Sequence, residues 1–318
     1  MASGKGKTTG KKTVRKEESS KYINPLTDFG FKYIFGAKES MINFLNAILE
    51  IEGGIVDLTY DNTERIPHSE EERKAQFDLH CTTGTGERII IEMQNHSQYF
   101  FKDRTIYYVT FPIQEQAPKG KDWDFMLKPV YSVNIVNFRM YDVEPQESKE
   151  LEEQYISYVQ LIDRYTKQIF YKKLTLAYLK LPLFTKTEDE LQTGVDQWMF
   201  VLKNLSNLND LPDALRNEVF EQLFRMAEVA KLSAKDRKEY YRSLKSYRDM
   251  NNSIAQRDQK IVQRDQIIAQ RDQTIVQRDR RIADLKQENA AYRQENVAYQ
   301  QEIAELRRRL GLNDINVN

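Results

Sequence analysis

Cysteine and long apolar stretches are nearly absent from this sequence of 318 residues. Its single cysteine, Cys81, excludes a disulfide framework and a cysteine-rich zinc site, and it suits a reducing compartment. The longest apolar runs, such as residues 88–93 and 133–138, fall far short of the roughly 18 residues that a membrane-spanning helix needs. The first twenty residues are basic and lack the apolar centre of a secretory signal. We therefore expect a cytoplasmic protein with no membrane segment.

A net charge is lacking too, because 48 lysine and arginine residues balance 48 aspartate and glutamate residues. The molecule as a whole presents no field that attracts nucleic acid, so any basic surface must be local. Residues 1–20, with six positive and two negative charges, form one such region and are predicted to be a disordered tail. Two interpretations of the tail stay open: contact with a DNA backbone, or a solubilising terminus.

The residues that are present predict a folded α/β domain before residue 250. Hydrophobic residues at 40% and charged residues at 30% suit a core with a well-solvated surface. Apolar residues spaced by three or four predict helices at 39–50, 99–116, 188–206, 212–231 and 234–249. Segments rich in β-branched residues predict strands at 55–60, 75–82, 87–94 and 128–138, and a β ribbon formed by 155–162 and 173–181.

Two acidic residues are predicted to converge across a β-hairpin. Glycines in the segment 82–86 predict a tight turn that makes the flanking strands antiparallel neighbours. Side chains alternate along a strand, so Glu92 and Gln94 share one face. If the turn is centred near Thr85, Asp78 lies directly across from Glu92, with the two Cβ atoms about 4.5 to 5.5 Å apart.

Two carboxylates in a largely apolar strand pair repel each other, and ionising both without a counter-charge is costly. A divalent metal ion resolves this repulsion. Mg²⁺ prefers hard oxygen ligands and takes one or two protein carboxylates, with water and phosphate in the remaining positions. Such an ion activates water and stabilises the charge that develops when a phosphodiester is cleaved. The pair Asp78 and Glu92 therefore indicates nuclease chemistry with Mg²⁺, or with Mn²⁺ in its place.

Four segments together resemble a known family. They are the run INPLTDFGFKYIFG at 23–36, the hairpin from FDLHC to IIIEMQ at 77–94, the segment RTIYY at 104–108 and the strand LKPVYSVNIVNF at 127–138. In this order they are similar to the Rpn-type recombination-promoting nucleases and transposases of the PD-(D/E)xK nuclease superfamily, over residues 21–245. The resemblance implies a restriction-endonuclease-like core at 21–145, completed by the β ribbon and a helical cap at 146–250.

The resemblance implies a metal-dependent DNA endonuclease in which Asp78 and Glu92 bind Mg²⁺. Gln94 stands where the superfamily most often has lysine. A glutamine cannot supply a positive charge or exchange a proton, so Gln94 would orient the attacking water only through hydrogen bonds. Activity would then depend more heavily on the metal.

Three further residues are candidates for support of the site or for contact with DNA. Asp28 and Lys32 match patterned positions of the family, although an aspartate at a helix start and a surface lysine explain them equally well. Arg104 lies on the predicted helix that follows the Glu92 strand, where it could contact the DNA backbone. All three roles stay open on the sequence alone.

From residue 251 the sequence repeats every seven residues. One heptad position holds isoleucine or leucine at 254, 261, 268, 275, 282, 303 and 310, and asparagine at 289 and 296. The position three residues on is arginine in the first four repeats and leucine or tyrosine in the last four, so the first half of the seam is half polar. Such a repeat predicts a left-handed coiled coil over 251–312 that joins copies of the chain. It would form a rod on the order of 90 Å long. A lone solvated helix is the alternative.

Three functions are consistent with these patterns. The leading hypothesis is a Mg²⁺-dependent DNA endonuclease whose coiled coil pairs two or more catalytic domains for double-strand cutting or strand exchange. The second is a non-catalytic DNA-binding or assembly protein that keeps the nuclease fold for its shape. The third treats the heptad segment as the functional part and the two acids as an incidental surface pair. Cleavage that depends on both acids would separate the first hypothesis from the other two.

Overall fold

The computed structural model of the chain describes residues 20–61, 64–65, 75–76, 78–117, 123–140 and 154–311. The chain divides into two compact units, residues 1–247 and 248–318. Apart from Ser20, the predicted basic tail at 1–20 lies outside the described residues. The domain bounds that the sequence suggested near residues 145 and 250 stay predictions.

A six-stranded sheet and its surrounding helices form the first unit. The strands are β1 (Leu58–Tyr60), β2 (Glu64–Arg65), β3 (Ala75–Gln76), β4 (Leu79–Thr83), β5 (Arg88–Gln94), β6 (Val130–Val136), β7 (Ile156–Ile162) and β8 (Ile169–Lys180). The helices are α1 (Asp28–Phe35), α2 (Lys38–Ile48), α3 (Phe101–Gln114), α4 (Gly194–Asn204), α5 (Glu218–Met226) and α6 (Ala234–Arg309), the last of which continues into the second unit. The strand order is β1-β4-β5-β6-β8-β7, and the short β2 and β3 pair separately.

The hairpin of β4 and β5 joins the β1 edge of the sheet to its central strands β5 and β6. These strands are antiparallel, whereas β5, β6 and β8 run parallel, with α3 as the crossover from β5 to β6. The predicted hairpin is confirmed, because Leu79 pairs with Ile91 and His80 with Ile90. Continuing this register by one residue sets Asp78 opposite Glu92.

Side chains of β5 enter two different layers. Ile89 and Ile91 are buried in the main core together with apolar residues of α1, α2, α4 and α5. Ile90 points the other way and packs against Tyr108 and Phe111 of α3. Because strand side chains alternate with a period of two, Glu92 and Gln94 lie on the same side as Ile90, which faces α3. The predicted alternation along this strand is confirmed.

Two predicted strands have wrong bounds. The strand predicted at 75–82 is interrupted, since β3 ends at Gln76, β4 begins at Leu79, and the chain bends at Asp78. The ribbon strand predicted to begin at 173 begins at Ile169, because pairing with β7 extends it. The first residues of β8 are mostly exposed, so apolar periodicity does not mark them.

Two predicted helices are shorter than expected. The segments 188–206 and 212–231 contain α4 and α5, each preceded by a separate 3₁₀ turn. The side chains of Thr193 and Asn217 cap the two helices by accepting the N–H groups of Asp196 and Phe220. A capped first turn fixes where a helix begins, so the residues before each cap fold separately. The remaining strands and helices of the first unit lie close to their predicted positions.

One unbroken helix makes up the helical part of the second unit. The prediction that a cap helix ends at 249 is wrong, because α6 runs from Ala234 to Arg309 and contains no proline or glycine that would end it. Its seam side chains, such as Ile268 and Leu306, are exposed in the single chain. Pairing of this helix with a second copy stays a prediction. In the described ranges, no helix combines the length and apolarity needed to cross a membrane.

A buried carboxylate joins the helical layer to the edge of the sheet. Asp196 in α4 accepts hydrogen bonds from Tyr155 Oη at 2.6 Å and from Lys186 Nζ at 2.7 Å. Burial opposes its ionisation, but these two donors and the backbone N–H groups of Gln192 and Thr193 hold the pKa of Asp196 well below its usual range.

Asp196→Asn is expected to lower the free energy of unfolding by about 1.5 kcal/mol at pH 7, because hydrogen bonds to a charged acceptor are lost. A depressed pKa in the folded state gives stability that is present above the unfolded-state pKa and is lost as pH falls below it. The deficit should therefore shrink at pH 3. Urea unfolding at both pH values measures it, with the exposed Asp189→Asn as the control. An equal deficit at pH 3 and pH 7 would contradict this account.

Candidate active site

Asp78 and Glu92 meet beside the hairpin of β4 and β5. The backbone N–H of Asp78 donates to Glu92 Oε1 at 3.2 Å, and the N–H of Met93 donates to Asp78 Oδ2 at 2.7 Å. Each side of the hairpin therefore holds the carboxylate of the other side in place. Glu92 is 7% exposed and Asp78 is partly buried, so the pair lies largely out of solvent.

Neither carboxylate ionises as readily as it would in water. Burial and the neighbouring charge of Asp78 raise the pKa of Glu92 to about 8. Burial also raises the pKa of Asp78, although the Met93 N–H and the Lys32 ammonium group oppose that shift. The pair therefore tends to hold a proton at neutral pH. A positive charge placed beside it would favour the ionised form of both carboxyl groups.

Arg104 of α3 connects the acid pair to Gln94. Its Nη2 donates to Gln94 Oε1 at 2.9 Å and lies 3.9 Å from Glu92 Oε2. The guanidinium lies over the rings of Phe101 and Tyr108, with 5.3 and 5.6 Å to the ring centroids. It lowers the pKa of both carboxylates of the pair. A positive charge is thus present beside the acids although residue 94 itself is uncharged.

Helix α1 brings Asp28 and Lys32 to the edge of the site. Lys32 Nζ pairs with Asp28 Oδ1 at 2.7 Å. Both charges act on Asp78, whose pKa is lowered by the lysine and raised by the aspartate. The cap of α1 is Thr27, whose hydroxyl accepts the N–H of Gly30, so Asp28 is the first helical residue and not the cap.

Two features that the sequence did not predict fix the start of α1, and the first of them links it to the end of β5. Asn95 Nδ2 donates to the Leu26 carbonyl oxygen at 2.8 Å. A Cβ atom on Gly30 would lie 2.1 Å from the Asn24 carbonyl oxygen. Only glycine therefore lets the first turn of α1 pack against the loop that precedes the helix. A polar residue directly after a buried strand is the signal that could have pointed to Asn95.

The predicted site residues fall into two groups. The structure brings together Asp78, Glu92, Gln94 and Arg104. It places Asp28 and Lys32 at the edge of this group. Within the described ranges, no cluster of three or more His, Cys, Asp and Glu side chains is placed to hold a metal ion. The candidate ligands are therefore two carboxylates, a number that Mg²⁺ accepts when water and phosphate complete its coordination.

Comparison with known proteins agrees with the similarity inferred from the sequence. A family model described as a PD-(D/E)XK nuclease family transposase matches residues 25–257. No curated protein and no solved structure matches the chain. Nucleases of the PD-(D/E)XK type generally use divalent metal ions. Since the match covers well over half of the sequence, this chain belongs to the PD-(D/E)XK nuclease family transposases.

Proposed function

We propose that this chain is a Mg²⁺-dependent DNA endonuclease, and that it hydrolyses phosphodiester bonds of DNA in an active site formed by Asp78 and Glu92. The observation that carries the proposal is a pair of largely buried carboxylates, locked together by reciprocal hydrogen bonds, with raised pKa values. Repulsion between two buried carboxylates would only destabilise the fold if the acids had a structural role. A divalent cation bound between them would remove that repulsion. The single buried cysteine suits action in the cytoplasm.

The donor set fits Mg²⁺ or Mn²⁺. One oxygen of each carboxylate accepts a backbone N–H, which fixes its orientation and leaves Asp78 Oδ1 and Glu92 Oε2 as candidate ligands. Both are hard oxygen atoms of the kind that these ions prefer. When bound, the cation would supply Lewis acidity and a lowered pKa for the attacking water.

The remaining residues have positioning roles in this proposal. Gln94 Oε1, already held by Arg104, keeps a second lone pair that can accept a hydrogen bond from the attacking water. Arg104 supplies beside Glu92 the positive charge that a lysine at position 94 would otherwise bring. Lys32 adds positive charge at the edge of the site, where a DNA phosphate would approach.

The test is cleavage of supercoiled plasmid by the purified full-length chain with Mg²⁺, with Mn²⁺ and with EDTA. Nicked or linear product with either cation, and none with EDTA, supports the proposal. Asp78→Asn is expected to remove the activity, whereas Asp103→Asn, which changes an exposed acid on α3, should retain it. Equal cleavage by wild-type protein and Asp78→Asn would show that the activity comes from elsewhere.

A second candidate is a non-catalytic DNA-binding protein with a nuclease fold. The observation that favours it is the uncharged Gln94, whose amide is bonded on both sides, to Arg104 and to the His96 carbonyl oxygen. Binding of DNA by the purified chain, with no cleavage of several DNA forms in either Mg²⁺ or Mn²⁺, would support this candidate over the endonuclease.

Self-association through residues 251–312 completes the proposal. The heptad repeat continues along α6, and its apolar side chains are exposed in a single chain. A sustained seven-residue apolar repeat is typical of helices that pair with other helices. A second copy of this chain offers the same repeat and is the proposed partner.

A further inference from the structure

The seam of the second unit has two unlike halves. Using a and d for the two seam positions of the heptad, the front half carries isoleucine at a and arginine at d, and the back half carries asparagine at two a positions and leucine or tyrosine at d. The front residues are Ile254, Arg257, Ile261, Arg264, Ile268, Arg271, Ile275 and Arg278. The back residues are Ile282, Leu285, Asn289, Tyr292, Asn296, Tyr299, Ile303 and Leu306.

This asymmetry decides how two copies can pair. In a parallel pair, each seam residue faces its own counterpart, so the four front-half arginines would stack against four identical arginines. Four successive like-charge layers in a seam are destabilising, because each guanidinium loses water and gains a repulsive neighbour. In the back half, Asn289 and Asn296 would likewise each face the same asparagine of the other copy.

An antiparallel pair centred on Arg280 matches unlike residues instead. An a position then faces a d position of the other copy, and no arginine at a seam position meets another seam arginine. The apolar layers become Ile254 with Leu306, Ile261 with Tyr299, Ile268 with Tyr292 and Ile275 with Leu285. The exposed apolar side chains of the front half are thereby covered by those of the back half.

The polar seam residues are matched in the same arrangement. Arg264 faces Asn296 and Arg271 faces Asn289, so a charged donor meets an amide oxygen. The other two front-half arginines face isoleucine, against which their aliphatic stems can pack while the guanidinium reaches water. A shift by one heptad that sets Ile261 against Leu306 keeps this matching, so the orientation follows from the whole pattern and not from one layer.

Charges beside the seam also favour the antiparallel orientation. At the e position, directly after d, the front half carries four aspartates and the back half carries Lys286, Arg293, Gln300 and Arg307. In antiparallel pairs e positions lie beside e positions, so acidic front halves meet basic back halves. At the g position, directly before a, Lys260 of the front half likewise meets Glu302 of the back half.

We infer that two copies of this chain pair antiparallel along residues 254–306. The inference rests on the self-association proposed above and is independent of nuclease activity. Residue 254 of one copy then lies about 80 Å from residue 254 of the other, at 1.5 Å rise per residue. Because residues 1–247 precede the seam in each copy, the two units formed by these residues are attached at opposite ends of the pair.

Cysteine cross-linking in the full-length chain tests the orientation. Ile254→Cys, Ile261→Cys and Leu306→Cys are made singly, and the third is co-expressed with each of the first two under different affinity tags. Cys81 does not compete, since it is buried and burial raises the pKa of its thiol to about 12. Oxidation is expected to link Leu306→Cys to one of the co-expressed partners and to leave each single variant uncross-linked.

Sedimentation of the wild-type chain separates the ways in which the inference can fail. A monomer would overturn both self-association and the orientation while leaving the nuclease proposal untouched. A dimer in which Ile254→Cys or Leu306→Cys links to itself would show parallel pairing. A dimer with no cross-link in either co-expressed sample would also overturn the antiparallel seam.

Discussion

Glu92→Gln is expected to stop Mg²⁺-dependent cleavage, with the rate falling by about 10³-fold or more. The substitution keeps the shape of the side chain but removes one of the two proposed charged ligands, and a bound cation typically supplies several kcal/mol of transition-state stabilisation. The loss is measured as nicking of plasmid per unit time. Asp103→Asn serves as the control for removal of an acid that is exposed on α3.

The same variant is expected to be more stable than the metal-free wild type above neutral pH. The pKa of Glu92 is raised to about 8 in the folded protein. A carboxyl with a raised folded-state pKa contributes stability below its unfolded value, near 4.5, and loses that contribution as pH rises towards 8. A neutral amide does not titrate, so Glu92→Gln should gain on the order of 2 kcal/mol over wild type at pH 8.5 and little at pH 4.5.

Urea unfolding in EDTA at the two pH values measures this gain. A variant that is inactive yet more stable at pH 8.5 would show that the carboxylate is retained for a ligand and not for the fold. A variant that is inactive and equally destabilised at both pH values would mean that Glu92 has a structural role. Addition of Mg²⁺ should raise the stability of the wild type but not that of the variant.

Arg104→Met is expected to lower the cleavage rate by about 10²-fold, the upper range for loss of a residue that acts through the ligands. The guanidinium lowers the pKa of both carboxylates, so its removal should also move the acid limb of the pH–rate profile to higher pH. A purely structural role would lower activity without that shift. Measuring the rate against pH distinguishes the two.

Gln94→Lys in the Arg104→Met background provides the rescue. It returns a positive charge to the position where the superfamily most often has lysine, and it should restore part of the activity and move the acid limb back. In the wild-type background the same lysine would meet Arg104 at close range and should not help, because two cations would then share one site. Arg88→Met, at the other end of β5, is the matched control.

The acid pair could be predicted from the sequence because local rules fix it. Alternation along β5 sets the face of Glu92, and a turn of set length brings Asp78 opposite. The contact of Arg104 with Gln94 could not be predicted, because it depends on how α3 folds back over the sheet. The same holds for Asn95 and the loop before α1, which are far apart in sequence.

Element ends were predicted less well than element types, for two physical reasons. Capping side chains such as Thr193 and Asn217 start a helix later than apolar spacing suggests. Conversely, α6 continues past its predicted end at 249, since heptad and globular helix patterns can share one helix where no proline or glycine intervenes. Periodicity identifies which residues face a core, and it does not locate where a helix stops.

The reciprocal hydrogen bonds between Asp78 and Glu92 make the length of one loop as constrained as the identity of either acid. Inserting or deleting a single residue between Thr83 and Glu87 would slip β4 by one position and turn Asp78 towards the opposite face of the sheet. Substitutions in that loop leave the spacing intact. Lineages with an active site should therefore keep the number of residues in this turn fixed and the glycine at Gly86, which has a positive φ of 97°, while varying the other turn residues.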